Sequence, residues 1–289
     1  MPSKSVKLSS RPAFARHIPT SSESPSSDSQ RACVSTYLLD PSSDTRSGSL
    51  CILEYSEESD PISSETTPVS SDMLLDLGLS DSSILVTSDN KGHAYLVDMN
   101  TSLIVSSWLA HSLPYVPGEG CEVWSCAVTK DAQTVVTGGE DGSMKLWDAR
   151  SRTQIAESKV FGAGVVFVDF PTNSDEQQIL TGSYDENIRV FDRRNLKNVL
   201  KEKKASALCW TLVSLELLSG GVWNIEQNAS TYCISCMYGG YTILNSESLD
   251  VVHQNRDVGT NLLYGATRMT DNSVLFCTFN DYLVVLDEF

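Results

Sequence analysis

The stretch from Thr137 to Asp148 reads Thr137-Gly138-Gly139-Glu140-Asp141-Gly142-Ser143-Met144-Lys145-Leu146-Trp147-Asp148. A second version of it reads Thr181-Gly182-Ser183-Tyr184-Asp185-Glu186-Asn187-Ile188-Arg189-Val190-Phe191-Asp192. Each copy opens with Thr-Gly, passes through a tight acidic turn and ends with an aromatic residue followed by Asp. Turn residues flanked by alternating side chains predict a β-hairpin. Because the two copies begin 44 residues apart, each hairpin belongs to a longer repeat.

The length of this repeat predicts the fold class. A period of about 40–45 residues with a Trp-Asp ending is typical of one blade of a WD-repeat β-propeller. Aligning the repeat ends along the chain gives Tyr55, Asp98, Asp148, Asp192, Asn245 and Asp287. We therefore expect an all-β fold, a single WD-repeat β-propeller of six or seven blades. Seven is favoured, because the N-terminal segment could complete a further blade with the C-terminal strands.

Changes in composition predict the domain boundaries. Residues 1–30 are rich in Ser, Pro and Arg, and we expect them to be disordered or only loosely attached. The propeller is expected to span residues 31–289. Within it, residues 56–72 read as an exposed loop, and residues 205–218 fit no blade pattern.

Charge and composition exclude several classes of function. The chain has 21 Lys and Arg against 37 Asp and Glu, a formal charge of −16, which argues against a nucleic-acid-binding protein. No apolar run is long enough for a membrane span or a secretory signal. The eight cysteines are scattered, and Cys233-Ile-Ser-Cys236 has zinc-ligand spacing without a second pair. We expect a cytoplasmic monomer without a metal or other cofactor.

One face of the propeller is the expected place for chemistry. In such blades the turn between the second and third strands opens on the face where the first strand begins. This rule collects carboxylates, aromatic residues and one histidine on one rim: His111, Glu122, Trp124, Asp141, Tyr184, Asp185 and Trp223. Side chains of these types converging at a propeller mouth predict a pocket for a small molecule or a modified side chain.

Each of these residues also has a purely structural interpretation. An Asp in such a turn usually holds the blade together by hydrogen-bonding backbone groups or a buried His, which applies to Asp141 and Asp185. Trp124 and Trp223 could equally pack or line a pocket, and a loop His such as His111 is more often idle than catalytic. The sequence contains no Gly-x-Ser-x-Gly nucleophile elbow and no phosphate-binding Gly-rich loop. The residues alone indicate a binding module.

Several short motifs occur in the order found in a specific family. They are Ser35-Thr36-Tyr37-Leu38, Ala110-His111, Glu122-Val123-Trp124, Gly182-Ser183-Tyr184-Asp185-Glu186, Gly220-Gly221-Val222-Trp223 and Leu263-Tyr264-Gly265-Ala266. Over residues 32–289 the chain resembles the WD-repeat diphthine methyl ester hydrolases, usually called the diphthine methyltransferase family, of the diphthamide pathway. The resemblance implies hydrolysis of the methyl ester of diphthine on a histidine of translation elongation factor 2. The alternative from another class is a non-catalytic WD-repeat scaffold or adaptor, because propellers serve both roles.

The implied substrate carries a trimethylammonium group, which suggests roles for the rim residues. Aromatic faces attract such cations, so we expect Trp124, Tyr184 and Trp223 to contact it, with Asp141 as a further substrate-binding residue. Glu122, Asp185 and His111 are the candidate catalytic residues, since a carboxylate or an imidazole could position the attacking water. Backbone N–H groups could stabilise the oxyanion.

Overall fold

The structure is a computed structural model. It describes residues 4–18, 29–56, 63–70, 72, 74–81, 83–113, 115–116, 118–171, 176–185, 187–204, 222–228, 230–236, 239–245, 248, 250–256 and 262–289. Every regular element in these ranges is a β-strand. The strands form six four-stranded antiparallel sheets, and the chain divides into two compact units of three sheets each.

One unit spans residues 69–208 and contains three sheets made from consecutive strands. Their strands are β6 (Leu74–Leu79), β7 (Ile84–Asp89), β8 (His93–Asp98), β9 (Leu103–Leu109), β10 (Val123–Val128), β11 (Thr134–Gly139), β12 (Met144–Asp148), β13 (Gln154–Ser158), β14 (Val165–Asp169), β15 (Gln178–Ser183), β16 (Asn187–Asp192) and β17 (Asn195–Lys204). The first strand β10 packs against the first strands of both other sheets, β6 and β14. The fourth strands are the exposed ones, since Leu103, Val105 and Ile155 are all more than half accessible.

The other unit combines residues 1–68 with residues 209–289. Its strands are β1 (Lys4–Lys7), β2 (Arg11–Ile18), β3 (Ser29–Asp40), β4 (Thr45–Ser56), β5 (Ser63–Ser70), β18 (Val222–Asn228), β19 (Thr231–Cys236), β20 (Gly240–Asn245), β21 (Val251–Asn255), β22 (Leu263–Thr270), β23 (Ser273–Thr278) and β24 (Leu283–Glu288). Strands β2–β5 form one sheet and β18–β21 another. In the third, the N-terminal strand β1 pairs with β24 as the fourth strand, Lys4 opposite Leu286 and Lys7 opposite Leu283.

Apolar clusters between neighbouring sheets supply the stability of each unit. In the unit of residues 69–208, one cluster includes the buried side chains of Met144, Val165, Ile179 and Phe191. Full burial of such a side chain contributes about 1.5–3 kcal/mol. Met144 comes from one repeated hairpin and Phe191 from the next, so the two blades bury their apolar faces by stacking on each other.

Buried polar chains also join the first strands of each unit. In one unit, Ser125 Oγ donates to Asp76 Oδ2 over 2.8 Å and accepts from the Val168 amide over 3.0 Å, which connects β6, β10 and β14. In the other, Thr267 Oγ1 donates to Glu226 Oε1 over 3.1 Å and accepts from the His17 amide over 2.9 Å, which connects β18, β22 and β2. We call each arrangement of carboxylate, hydroxyl and amide a relay.

The repeat ends expected from the sequence are confirmed. The six aligned positions all lie in the third strand of a sheet: Tyr55 in β4, Asp98 in β8, Asp148 in β12, Asp192 in β16, Asn245 in β20 and Asp287 in β24. The preference for seven blades is corrected, because the described residues form six. The N-terminal segment forms no additional blade: β1 is the outer strand of the last sheet, and β2 is the first strand of the sheet β2–β5.

Two further expectations differ from the structure. Residues 1–30 are expected to be disordered or only loosely attached, yet residues 4–7 and 11–18 are strands, and Ala13 and Ala15 in β2 are fully buried. Part of the expected loop at 56–72 forms β5, the fourth strand of the first sheet. The unusual segment at 205–218 lies outside the described residues.

Candidate functional site

His111 is fully buried beneath the acidic turn that follows β11. Its Nδ1 lies 2.9 Å from Asp141 Oδ1, and its Nε2 lies 2.8 Å from Thr137 Oγ1. The indole Nε1–H of Trp147 donates to the same Thr137 hydroxyl over 2.9 Å. A line of hydrogen bonds therefore runs from the Trp of the repeat ending to the Asp of the repeat turn.

The partners in this line determine the tautomer of the imidazole. The carboxylate of Asp141, with its pKa lowered to about 2, can only accept, so Nδ1 of His111 carries a proton and donates to it. In the neutral ring Nε2 then accepts from the Thr137 hydroxyl, which itself accepts from the Trp147 indole. Burial lowers the pKa of His111 below its usual 6.5, with Asp141 acting in the opposite direction. The ring is thus neutral, and both of its nitrogens are engaged.

Asp141 is the acceptor at the end of this line. Burial alone would raise the pKa of this carboxyl, but hydrogen bonds from His111 and Ser143 and the charge of Lys145 hold it at about 2. Lys145 Nζ lies 3.5 Å from Asp141 Oδ2 and donates to the Ala110 carbonyl over 3.0 Å. Asp141 therefore has partners at both carboxylate oxygens, which agrees with the interpretation that it stabilises the blade.

Asp185 occupies the corresponding turn of the next blade and has different partners. The Gly162 amide donates to Oδ2 over 2.8 Å, and Arg189 Nη1 lies 2.8 Å from the same oxygen. The Asn187 amide donates to Oδ1 over 3.0 Å. Burial would raise the pKa of Asp185, yet these hydrogen bonds and the Arg189 charge lower it. Both oxygens of this carboxylate are therefore committed to holding the turn.

Three of the predicted residues meet at a second place, which we call the aromatic corner: Glu122, Trp124 and Tyr184. Trp124 Nε1–H donates to Glu122 Oε2 over 2.6 Å. The rings of Trp124 and Tyr184 meet edge to face, with centroids 5.2 Å apart and an interplanar angle of 79°. Tyr184 is 61% exposed, so the corner opens to solvent. In this corner, neighbouring blades place two aromatic rings and one carboxylate together.

Backbone pairing explains why the corner forms. Trp124 lies near the start of β10, and Tyr184 directly follows β15 in the next blade. The Tyr184 amide donates to the Gly164 carbonyl over 3.0 Å, which ties its turn to the residue before β14. The prediction that second-to-third-strand turns lie beside first-strand beginnings is therefore confirmed for Trp124 and Tyr184.

Gly164 is a residue of the corner that sequence reasoning missed. A Cβ on Gly164 would lie 2.2 Å from Cζ3 of Trp124, so the indole packs directly over the glycine backbone. Only the absence of a side chain permits this approach. The visible signal was the pair Gly162 and Gly164 just before β14, which indicates a turn but does not specify a close contact with Trp124.

The structure does not bring every predicted residue into one site. His111 and Asp141 lie in the buried line, Asp185 in its own turn, and Glu122, Trp124 and Tyr184 in the aromatic corner. Trp223 is in strand β18 of the other unit, and its side chain lies outside the described residues. The catalytic and substrate-binding roles assigned from the sequence stay predictions.

In the part of the chain that the structure describes, neither the cysteines nor other potential ligands form a metal site. Six of the cysteines there are buried free thiols: Cys33, Cys51, Cys121, Cys126, Cys233 and Cys277. No group of His, Cys, Asp and Glu side chains within the described ranges is arranged to hold a metal ion. The same ranges contain no helix with the length and apolar character needed to cross a membrane.

Comparisons with known proteins agree with this architecture. Residues 110–148 match the family model "WD domain, G-beta repeat". No curated protein matches the sequence, whereas 1397 chains of solved structures match the fold. One of them comes from "Crystal Structure of Mitotic Checkpoint Complex"; it is 12% identical, with a TM-score of 0.57, over 100% of this chain and 95% of that one. The chain thus contains a WD40 repeat and has the WD-repeat propeller fold, which by itself does not determine a function.

Proposed function

We propose that this protein is a carboxyl methyl ester hydrolase that acts on diphthine methyl ester of translation elongation factor 2, as a cytoplasmic monomer without a cofactor. The proposal rests on the order of motifs that resemble the diphthine methyl ester hydrolases. The structural observation that supports it is the aromatic corner, where Glu122, Trp124 and Tyr184 meet in an exposed position between two blades.

The reaction requires water to be positioned at the ester carbonyl. Water adds to the carbonyl carbon, the bond from that carbon to the methoxy oxygen breaks, and the products are a carboxylate, methanol and a proton. Glu122 is the best placed of the three candidate catalytic residues, because within the described part of the chain only Trp124 hydrogen-bonds its carboxylate. His111 is buried with both nitrogens occupied, and Asp185 is bound to Gly162, Asn187 and Arg189.

Methanol release from methyl-esterified elongation factor 2 is the direct test. The purified protein should release methanol stoichiometrically with loss of the ester, and the product should become a substrate for amidation to diphthamide. A sample heated until unfolded serves as the control for spontaneous hydrolysis. Unchanged ester after prolonged incubation with folded protein would rule out the proposed activity.

The second candidate is a non-catalytic WD-repeat scaffold or adaptor. This function is favoured because His111, Asp141 and Asp185 are held by hydrogen bonds within the fold. Among the candidate residues, only the carboxylate of Glu122 is then left for catalysis. The fold is also similar to a chain from a protein assembly. Binding of elongation factor 2 without methanol release would support this second function.

A further inference from the structure

A small cavity lies where the chain passes from β1, the outer strand of one sheet, to β2, the first strand of the next. It is lined by Lys7 at the end of β1, by residues of the connection to β2, and by Thr36 of β3, Cys51 of β4 and Thr66 of β5. Its volume is about 80 Å³. Because a buried water needs only about 10–15 Å³ of such space, the cavity can hold several waters or one small polyatomic ion.

Three polar side chains that line the cavity are available to a ligand: the ammonium of Lys7 and the hydroxyls of Ser9 and Ser10. Within the described ranges, none of them forms an ion pair or a side-chain hydrogen bond. An ammonium group has only donors, and each hydroxyl can donate one further hydrogen bond. Hydrogen-bond donors therefore come to the cavity from three closely spaced positions of one segment.

The buried residues of the cavity carry no charge. Thr36 is 2% exposed, and its hydroxyl donates to the Ser49 carbonyl over 3.1 Å. Cys51 is 1% exposed, and burial raises the pKa of its thiol, which has Thr66 as a hydrogen-bond partner, so the sulfur is protonated at neutral pH. No Asp or Glu of the described residues lines the cavity, which makes Lys7 its one charged lining residue there.

The segment that contributes Lys7 is basic, in contrast to the rest of the chain. Residues 4–18 contain Lys4, Lys7, Arg11 and Arg16 and no Asp or Glu, whereas the whole chain has a formal charge of −16. Local positive charge raises the local concentration of anions. Ammonium and hydroxyl donors suit an ion with several acceptor oxygens, because hydrogen bonds to an ionised acceptor are the stronger ones.

We propose that this cavity is a binding site for a phosphate group, with Lys7, Ser9 and Ser10 as its donors. Lys7 supplies the positive charge, and the two hydroxyls donate to the phosphate oxygens, while Thr36 and Cys51 form the uncharged, buried part of the cavity. The group can come from free phosphate or from a phosphorylated side chain, because Lys7 and Ser9 are exposed. The site goes beyond the proposed hydrolase activity and does not depend on it.

A titration with inorganic phosphate at constant ionic strength tests the site directly. The phosphorus resonance should shift or broaden on addition of the folded protein, and the effect should saturate. Lys7→Gln should weaken phosphate binding by about 10- to 100-fold, since it removes a charged donor, and Ser10→Ala by about 2- to 10-fold. Lys4→Gln is the matched control: it removes the same charge from the same strand, but Lys4 lies over the Tyr55 ring and does not line the cavity. Its affinity should stay close to the wild-type value.

Three outcomes would overturn the proposal: no saturable binding of phosphate, equal affinity of the wild type and the Lys7→Gln variant, or equal losses for Lys7→Gln and Lys4→Gln. The last would mean that net charge alone attracts the ion. Circular dichroism checks that each variant is folded. A peptide carrying phosphoserine distinguishes the two sources of the group. Tighter binding of the peptide than of free phosphate would assign the site to a phosphorylated protein, and equal or weaker binding would assign it to the free ion.

Discussion

Glu122 and Trp124 are joined by a 2.6 Å hydrogen bond from the indole Nε1–H to the carboxylate, although only one residue separates them in sequence. Glu122 immediately precedes β10 and Trp124 is its second residue, and the two side chains meet at the start of the strand, where the pairing of β10 with β11 is irregular. The bond gives Glu122 two distinguishable roles. It fixes a ring, and its second oxygen is available to a water molecule.

Substitutions of Glu122 should separate these two roles. Glu122→Gln keeps an oxygen that can accept from Trp124 but removes the charge and the base, whereas Glu122→Ala removes all three. If Glu122 positions the attacking water, both variants should lose about 10²- to 10⁴-fold in kcat for methanol release. If it only orients the indole, Glu122→Gln should retain most of the activity. Methanol assays over a range of substrate concentrations, with folding checked by circular dichroism, would decide.

Gly164→Ala should disturb the aromatic corner without altering any polar group. The added methyl would lie 2.2 Å from Cζ3 of Trp124, closer than any real contact, so the indole must move from its place beside Tyr184. If Trp124 and Tyr184 contact the trimethylammonium group of the substrate, KM for methanol release should rise by about 2- to 30-fold.

Gly182→Ala is the control for this change. A Cβ on Gly182 would lie 3.5 Å from the Phe167 Cβ, an ordinary contact, so KM for methanol release should stay at the wild-type value. Equal effects of the two glycine substitutions would show that the packing of Trp124 over Gly164 is unimportant for binding.

His111→Ala should destabilise the protein rather than act on chemistry alone. The change removes one buried hydrogen-bond partner from Asp141 and one from Thr137, although Ser143, Lys145 and Trp147 still contact them, which should cost about 1–3 kcal/mol in the free energy of unfolding. Urea denaturation measures this loss. His93→Ala is a suitable control, because the His93 side chain is 41% exposed and its loss should cost much less. Full stability with abolished methanol release would assign His111 to catalysis.

The stability of the protein should fall as the pH is lowered. Burial in the folded state holds the pKa of His111 below 6.5, so the unfolded chain binds a proton at this ring more readily than the folded protein does. The free energy of unfolding therefore decreases as the pH falls below 6.5. Asp141, whose pKa is lowered from 3.8 to about 2, contributes on the order of 2 kcal/mol above its unfolded pKa, and this is lost as the pH falls through the folded value. Urea midpoints measured from neutral to acidic pH should decline in both ranges. A His111→Gln variant should show a flatter decline in the first range.

Ser125→Ala tests the relay of residues 69–208. Removing the hydroxyl leaves the Asp76 carboxylate and the Val168 amide with one fewer buried partner each, which should cost about 1–3 kcal/mol. Ser158→Ala is the matched control: Ser158 is also buried, but its Oγ has no hydrogen-bond partner among the described residues. Its removal should be close to neutral in thermal or urea denaturation. Equal losses for the two serines would argue against the relay.

The sequence predicted the fold wherever a repeat carried both a turn signal and an aromatic ending. The hairpins at Thr137 and Thr181 lie where they were expected, and the weaker ends at Tyr55 and Asn245 also occupy third strands. The strand Arg11–Ile18 was missed because its core residues include Ala13 and Ala15, which give little hydrophobic signal, and because it contains Pro12. Its burial depends on neighbouring strands that are distant in sequence.

The sequence predicted which residues lie on the same face of the propeller, but not which of them contact one another. The offset between blades placed Trp124 and Tyr184 on the same face, but it did not predict that their rings contact each other, as they do in the structure. Periodicity could not show that His111 is enclosed by Thr137 and Asp141, because burial of a loop residue depends on packing across the blade. For the same reason it could not identify Gly164, whose importance comes from the shape of Trp124.

The relays have a consequence for how this chain can be altered. Each passes from a carboxylate on one blade, through a hydroxyl on the next, to a backbone amide on a third. A blade transplanted from another propeller would therefore leave an acid, an alcohol or an amide unmatched inside its new host. Grafting experiments on this protein should treat three successive blades as the smallest exchangeable part.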